Sequence, residues 1–228
     1  MPGSSWTGRS DVKPILLSDF DGTACQIDIG ENLMKKHAGP AWPALIADWK
    51  AGRITTTQCF TRECELARLT RETVLSFAEK QSLEPSFVAV HETLAKRGVP
   101  VVVLSDGLDI YIDLILRKHG LTDVAFFANH AVFPKGFLWP EFPYFEEGCG
   151  SCGNCKGSHI RHYQKEGYSP VIYVGDGLSD RCVVGKADLL FAKDDLLEHV
   201  RANGHEAIPY CDFHDVHREL VKRKILAF

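Results

Sequence analysis

The apolar run Ile15-Leu16-Leu17 leads through Ser18 straight into Asp19-Phe20-Asp21-Gly22-Thr23, and this junction restricts the possible folds more than any other stretch. A short apolar run without polar alternation suits a strand covered on both faces, the situation of a parallel sheet. Two carboxylates one residue apart at the end of such a strand lose hydration and repel each other. They are tolerated when a cation or a proton-transfer task holds them there. Acids at the carboxyl end of a buried strand also lie where open α/β sheets place their ligands. Gly22 permits a sharp turn, and the Thr23 hydroxyl can orient a carboxylate. The competing reading is a surface Asp-Gly turn after an ordinary strand, which is common turn chemistry.

The rest of the chain repeats the strand theme. Apolar runs at 15–18, 100–105, 124–128, 171–175 and 189–192, with a weaker one near Ile208, alternate with helical spacing at 86–97, 109–119, 157–166, 179–185, 195–202 and 213–225. This alternation predicts an α/β fold: a Rossmann-like parallel sheet core with crossover helices. Residues 29–84 show helical spacing only, as in Leu45, Ile46 and Trp49 or Val74, Phe77 and Ala78. They predict a small all-helical cap inserted after the first strand. The catalytic core then comprises 11–28 and 85–228, and the Gly/Ser-rich residues 1–10 a loose tail.

The chain has 228 residues, 45% of them hydrophobic, enough for one large domain carrying such an insert. A net charge of -4 gives no electrostatic reason to expect nucleic acid or an anionic membrane as partner. No apolar stretch approaches the roughly 20 residues of a membrane span. Residues 1–10 lack the apolar middle of a secretion signal. Of the eight cysteines, five are scattered singly rather than arranged as a disulfide framework, so reduced thiols and a cytoplasmic location are expected.

Three further signals follow in order. Val101-Val102-Val103-Leu104 runs into Ser105-Asp106-Gly107, a turn whose hydroxyl and amides can hold a phosphate. Lys156 stands just ahead of a predicted helix, and Val171-Ile172-Tyr173-Val174-Gly175 leads to Asp176 and, near a helix start, Asp180. Each has an ordinary reading as a helix cap, a solvated charge or a turn. Their recurrence at the same ends of parallel strands favours one shared site.

On these residues the sequence resembles the haloacid dehalogenase-like superfamily, whose four motifs match Asp19/Asp21, Ser105, Lys156 and Asp176/Asp180. The resemblance runs from Ile15 onward and places the helical insert where that family carries its cap. It implies Mg²⁺ and an aspartyl-phosphate intermediate. In those terms Asp19 attacks phosphorus, while Asp21 protonates the leaving alkoxide and then activates water. Mg²⁺ would sit on Asp19, the Asp21 carbonyl oxygen and Asp176, with Asp180 beside it or acting through water. Three carboxylates and a phosphate dianion bring about five negative charges against two from the ion, which gives Lys156 its place. An acid at Asp21 points to phosphate-ester hydrolysis, because only an alkoxide leaving group needs a proton donor.

A cap closing over the site implies a small phosphorylated metabolite, with Asp28, Glu31 and Arg53 as candidates for reading its non-phosphate part. Asn129-His130, the cysteine-rich loop before Lys156, Phe191-Ala192-Lys193-Asp194 and Pro209-Tyr210 followed by Asp212-Phe213 are similar to the methionine-salvage phosphatases of the superfamily. Those act on 2-hydroxy-3-keto-5-methylthiopentenyl-1-phosphate. Asp106 departs from that subgroup, where glycine is expected. Phosphoserine phosphatase-like and phosphocholine-type activities are the alternatives. A phosphotransferase or mutase on the same fold and a non-enzymatic binding protein follow them. Finally, Cys149, Cys152 and Cys155 have the C-x2-C-x2-C spacing of a Zn²⁺ site, with His159 or His162 as a fourth ligand. The ordinary reading is a Gly-rich loop with incidental thiols, and a redox-active thiol pair is a third.

Overall fold

A computed structural model describes residues 13–226; the tail expected at 1–10 lies outside the described residues. Seven strands form one sheet: β1 (Ile15–Ser18), β2 (Val101–Leu108), β3 (Ala125–Val132), β4 (Trp139–Glu141), β5 (Val171–Gly175), β6 (Leu189–Ala192) and β7 (Ile208–Pro209). Their order is β4-β3-β2-β1-β5-β6-β7, and every pairing is parallel except β3 with β4. The central β1 pairs with β2 on one side and β5 on the other. The chain thus leaves the middle of the sheet in both directions, and the carboxyl end of β1 opens at that switch point.

Both faces of the sheet are covered, which is why Ile15-Leu16-Leu17 can be uniformly apolar. Leu16, Val101, Val103 and Ile172 point to a face covered by α5 (Pro85–Ala95), α6 (Asp109–Lys118) and α9 (Phe213–Lys222). Ile15, Leu17, Val102 and Tyr173 point to the opposite face, covered by α7 (Lys156–Lys165) and α8 (Asp194–Ala202). Fully burying one such aliphatic side chain contributes about 1.5–3 kcal/mol, so these two layers dominate the stability of the core.

Residues 29–78 form four helices: α1 (Ile29–His37), α2 (Trp42–Lys50), α3 (Thr56–Ala67) and α4 (Arg71–Ala78). Local sequence explains their starts. Asp28 caps α1 by accepting from the Glu31 N–H at 2.6 Å, and Pro43 occupies the first turn of α2. Thr55 and Gln58 form a reciprocal capping box on α3, so the Thr55-Thr56-Thr57 run marks a helix start. The two connections to the core run side by side, with Glu84 N–H donating to the Ala24 carbonyl at 2.8 Å.

Two local expectations need correction, and one strand is unanticipated. β2 continues as extended backbone to Leu108, through the Ser105-Asp106-Gly107 stretch that reads as a turn, and its register against β3 slips between Leu104 and Leu108. The helix expected at 179–185 is a 3-10 turn, Leu178–Val183. β4 has three residues, too few for any periodicity to announce it.

Candidate active site

The carboxyl ends of β1, β2 and β5 bring the motif acids together. Asp19 N–H donates to the Val174 carbonyl at 2.9 Å, which holds the exit of β1 against β5. Asp19 Oδ1 accepts from the Phe20 N–H at 2.7 Å and from Lys156 Nζ at 2.6 Å. Its Oδ2 has no hydrogen-bond partner among the described residues. Gly22, at φ +74°, then turns the chain so closely past Asp176 that a Cβ would lie 2.5 Å from Asp176 Oδ2. Thr23 does orient a carboxylate: its Oγ1 donates to Asp176 Oδ1 at 2.7 Å.

Asp180 is saturated by the protein. Oδ1 accepts from Lys156 Nζ at 2.5 Å and from the Tyr173 hydroxyl at 2.7 Å, and Oδ2 accepts from the Asp176 and Gly177 amides at 3.1 and 3.3 Å. Carboxylate oxygens of Asp19, Asp176 and Asp180 lie within 4.8 Å of one another. Burial, then repulsion from Asp180, raises Asp19 well above the usual carboxylate range, and the same two causes push Asp176 up to about 6. Lys156, the first residue of α7, is 1% exposed and bridges Asp19 and Asp180. Burial opposes its charge, but Asp180, Asp19 and Asp106 outweigh that and hold the ammonium well above the usual lysine range. Two buried acids and the half-buried Asp176 around one lysine leave the cluster short of positive charge.

Asp21 faces the other way, toward the end of β2. Its Oδ1 accepts from the Ile29 N–H at 2.9 Å, and Oδ2 accepts from the Tyr111 hydroxyl at 2.8 Å and from Ser105 Oγ at 3.3 Å. Burial, then the neighbouring Asp28 charge, pushes Asp21 up to about 7. Ser105 Oγ also accepts from the Gly107 N–H at 2.9 Å. Gly107 is required there because a Cβ would stand 1.8 Å from Tyr111 Oη. Asp106 points away from Asp21: Oδ1 accepts from the Asn154 N–H at 2.7 Å, while the buried Oδ2 has no partner. Asn154 Nδ2 donates to the Ser105 and Phe127 carbonyls at 3.0 and 2.7 Å, tying the strand ends to the loop before Lys156.

A cavity of about 310 Å³ separates these strand ends from α1, α2 and α3. Asp28 and Glu31 line it, as the sequence suggests, and so do Trp42, Trp49, Phe60 and Glu63. Arg53 does not; it is paired with Asp48 on the surface, Nε to Oδ1 2.8 Å, because the turn that ends α2 brings Arg53 back beside the helix's last residues. Glu63 accepts from Trp42 Nε1 at 2.6 Å and is pushed up by burial to about 7.

Sequence reasoning missed Tyr111, Tyr173, Asn154 and Glu63. Tyr111 alone carries a usable signal, a tyrosine one helical turn beyond the Ser105-Asp106-Gly107 motif. The sulfurs of Cys149, Cys152 and Cys155 also lie within 4.8 Å of one another. Neither histidine expected beside them joins: His159 Nε2 is bonded to Asn154 Oδ1 at 2.6 Å, its ring packed on Phe127, and His162 is exposed against Tyr163.

Residues 15–201 match the model of the family described as "Putative Phosphatase". The chain belongs to that phosphatase family. It is 31% identical over 197 residues, 84% of each chain, to the 2-hydroxy-3-keto-5-methylthiopentenyl-1-phosphate phosphatase of Bacillus pumilus (strain SAFR-032). Identity to the enzyme of the same name from Bacillus velezensis is 27% over 208 residues, 89% of this chain and 88% of that one. Among solved structures, "Phospho-Aspartyl Intermediate Analogue of Phosphoserine phosphatase" matches with a TM-score of 0.69 at 23% identity, covering 93% of this chain and 99% of that one. The fold is the haloacid dehalogenase-like one that the motifs imply. Among the described residues no helix is long and apolar enough to cross a membrane.

Proposed function

We propose that this chain hydrolyses a small phosphomonoester in two steps, with Asp19 as nucleophile, Asp21 as general acid and base, and Mg²⁺ as cofactor. One observation carries the reading: two buried carboxylates two residues apart face different partners. Asp19 meets the Lys156 ammonium and keeps one oxygen free beside Asp176, whereas Asp21 faces away from it, toward Tyr111 and Ser105, with no cation bonded to it and burial pushing it up to about 7.

The residues suit a hard, oxygen-seeking cation. The donors are all oxygens, Asp19 and Asp176 each keep an Oδ2 without a protein hydrogen bond, and Gly22 leaves the space a side chain would fill. Asp19, Asp176 and the Asp21 carbonyl would hold Mg²⁺, with Asp180 fixing the Asp176 backbone beside them. When bound, the ion supplies positive charge against the phosphate oxygens.

The chain's own groups then do the chemistry. Asp19 Oδ2 forms a bond to phosphorus as the ester P–O bond breaks, and protonated Asp21 delivers its proton to the leaving oxygen. Asp21, now ionised, takes a proton from the water that attacks the aspartyl phosphate and regenerates Asp19. Lys156 holds Asp19 in register and offsets the negative charge that accumulates. Ser105 Oγ and the β2 end hold Asp21 in place, and helices α1–α4, proposed as a cap over the core formed by the rest of the chain, keep bulk water from the acyl phosphate.

For the substrate we favour the methionine-salvage enol-phosphate named for the relatives. Met34, Trp42, Ile46, Trp49 and Phe60 offer an apolar wall to a thioether tail. Phosphoserine fits poorly: among the described residues no arginine or histidine lines the cavity, and Lys50 is engaged with Asp195 at 3.2 Å. A second reading, a phosphocholine-type amino-alcohol ester, is favoured by Asp28, Glu31 and Glu63 beside the tryptophans, an arrangement that attracts a cation. The test is phosphate release from a panel containing all three esters, with and without Mg²⁺. Turnover that requires Mg²⁺ and vanishes in Asp19→Asn, with unchanged circular dichroism, is the expected result. Retained turnover in that variant removes the nucleophile assignment.

A further inference from the structure

The cysteine loop acquires a member that its sequence spacing does not reveal. Cys182, in the 3-10 turn two residues beyond Asp180, packs against the first turn of α7 just after Cys155, where the Gly157 N–H donates to its Sγ at 3.3 Å. Cys149 Sγ in turn lies 3.5 Å from Cys152 Sγ. The sulfurs of Cys149, Cys152 and Cys155 lie within 4.8 Å of one another, and Cys182 stands at the edge of that group from a separate segment. In a tetrahedral zinc–thiolate site with Zn–S near 2.3 Å, the sulfurs stand about 3.8 Å apart. The Cys149–Cys152 spacing is already close to that, and Cys182 has only to move in to complete the set.

The surroundings are built to stabilise sulfur carrying negative charge. That Gly157 N–H donates directly to sulfur, and the Ser158 N–H, donating to the Cys155 carbonyl at 2.9 Å, fixes the turn that carries Cys155. Both donors belong to the first turn of α7, whose positive end faces the cluster. Backbone packing around the sulfurs leaves no room for side chains. A Cβ on Gly157 would lie 2.4 Å from the Cys182 carbonyl oxygen, and one on Gly148 would lie 3.0 Å from Cys155 Cβ. These glycines let the two segments approach each other closely. None of the cysteines is disulfide-bonded.

We propose that Cys149, Cys152, Cys155 and Cys182 form a four-thiolate site for a thiophilic divalent cation, zinc by chemistry, distinct from the carboxylate cluster. Its placement gives it a task. Cys155 immediately precedes Lys156, Cys182 lies two residues after Asp180, and Lys156 Nζ is bonded to Asp180 Oδ1. A metal joining these cysteines fixes both ends of that ion pair. The same loop reaches the helical insert, where the Thr57 N–H donates to the Ser151 carbonyl at 3.2 Å. The site is thus a positioning clamp, with no contact to the reacting atoms.

The experiment is metal analysis of the full-length protein purified without chelator, paired with cobalt incorporation during growth. The site predicts close to one zinc per chain, and in the cobalt protein a thiolate-to-cobalt charge-transfer band with intense tetrahedral d–d bands. Cys182→Ser should weaken zinc retention against a competing chelator by about 100-fold or more, beyond the loss typical of an outer partner. Should Cys182→Ser fail to fold, the exposed Cys149→Ser must show the same weakening. Cys211→Ser, an exposed cysteine outside the cluster, must leave zinc content unchanged. Absence of zinc together with absence of the cobalt–thiolate band overturns the proposal. So does zinc retention that neither cluster substitution alters, or a disulfide among these four cysteines in protein isolated under reducing conditions. None of these readouts depends on turnover, so they stand apart from the phosphatase reading.

Discussion

Replacing Tyr111 by phenylalanine removes a single oxygen and should move the alkaline limb of the pH–rate profile upward. The Tyr111 hydroxyl donates to Asp21 Oδ2 at 2.8 Å and opposes the rise that burial and Asp28 impose on Asp21. Asp21 titrates at about 7, and as general acid it must carry a proton when substrate arrives. Hence kcat/KM should fall as pH rises through that value. Removing the hydrogen bond disfavours the carboxylate, which raises the Asp21 pKa and carries the limb with it. A hydrogen bond to a charged group contributes about 1.5–3 kcal/mol, and about 1.36 kcal/mol corresponds to one pKa unit. The limb should therefore rise by about 1–2 units, nearer the lower figure because Ser105 Oγ, at 3.3 Å, can tighten onto the vacated oxygen. Phenylalanine preserves the ring packed against Phe20 at 6.2 Å, so stability should change little. The assay is kcat/KM against pH at saturating Mg²⁺, using an ester with an alkoxide leaving group. A limb that stays in place or moves down refutes the assignment of Asp21 as the titrating acid.

Two other substitutions follow from the same geometry. Lys156→Ala leaves Asp19 and Asp180 buried without their cation, and should cost about 3–5 kcal/mol in urea unfolding while abolishing turnover; near-native stability would show that the pair is not sealed from water. Gly22→Ala places a Cβ against Asp176 Oδ2 at a left-handed backbone position, and should raise the Mg²⁺ concentration for half-maximal activity by about tenfold or more. An unchanged activation curve would separate Asp176 from the cation.

The motif acids were legible because each travels with its own strand. Ile15–Ser18 carries Asp19, and Val171–Gly175 carries Asp176, so assembling a parallel sheet suffices to bring them together. Residues that reach the site through helix phase or a distant turn were not. Tyr111 meets Asp21 only because α6 begins directly after β2, and Cys182 comes beside the cysteine loop, against Gly157, only because the chain folds back after β5. Gly107 illustrates a misread signal: it looks like turn punctuation, but its lack of a side chain serves the approach of Tyr111 within a strand. Arg53 failed for the opposite reason, since Asp48 nearby in sequence satisfies it on the surface.

Trapping the phosphorylated enzyme tests the mechanism most directly. Asp21→Asn cannot activate water, yet an aryl phosphate needs little help to leave, so the variant should accumulate phosphate on the chain. Mixing it with p-nitrophenyl phosphate and Mg²⁺, quenching in acid and mapping peptides by mass spectrometry should place the phosphoryl group on Asp19. Release of p-nitrophenol with Asp19 unmodified, or modification of another residue, would contradict the account.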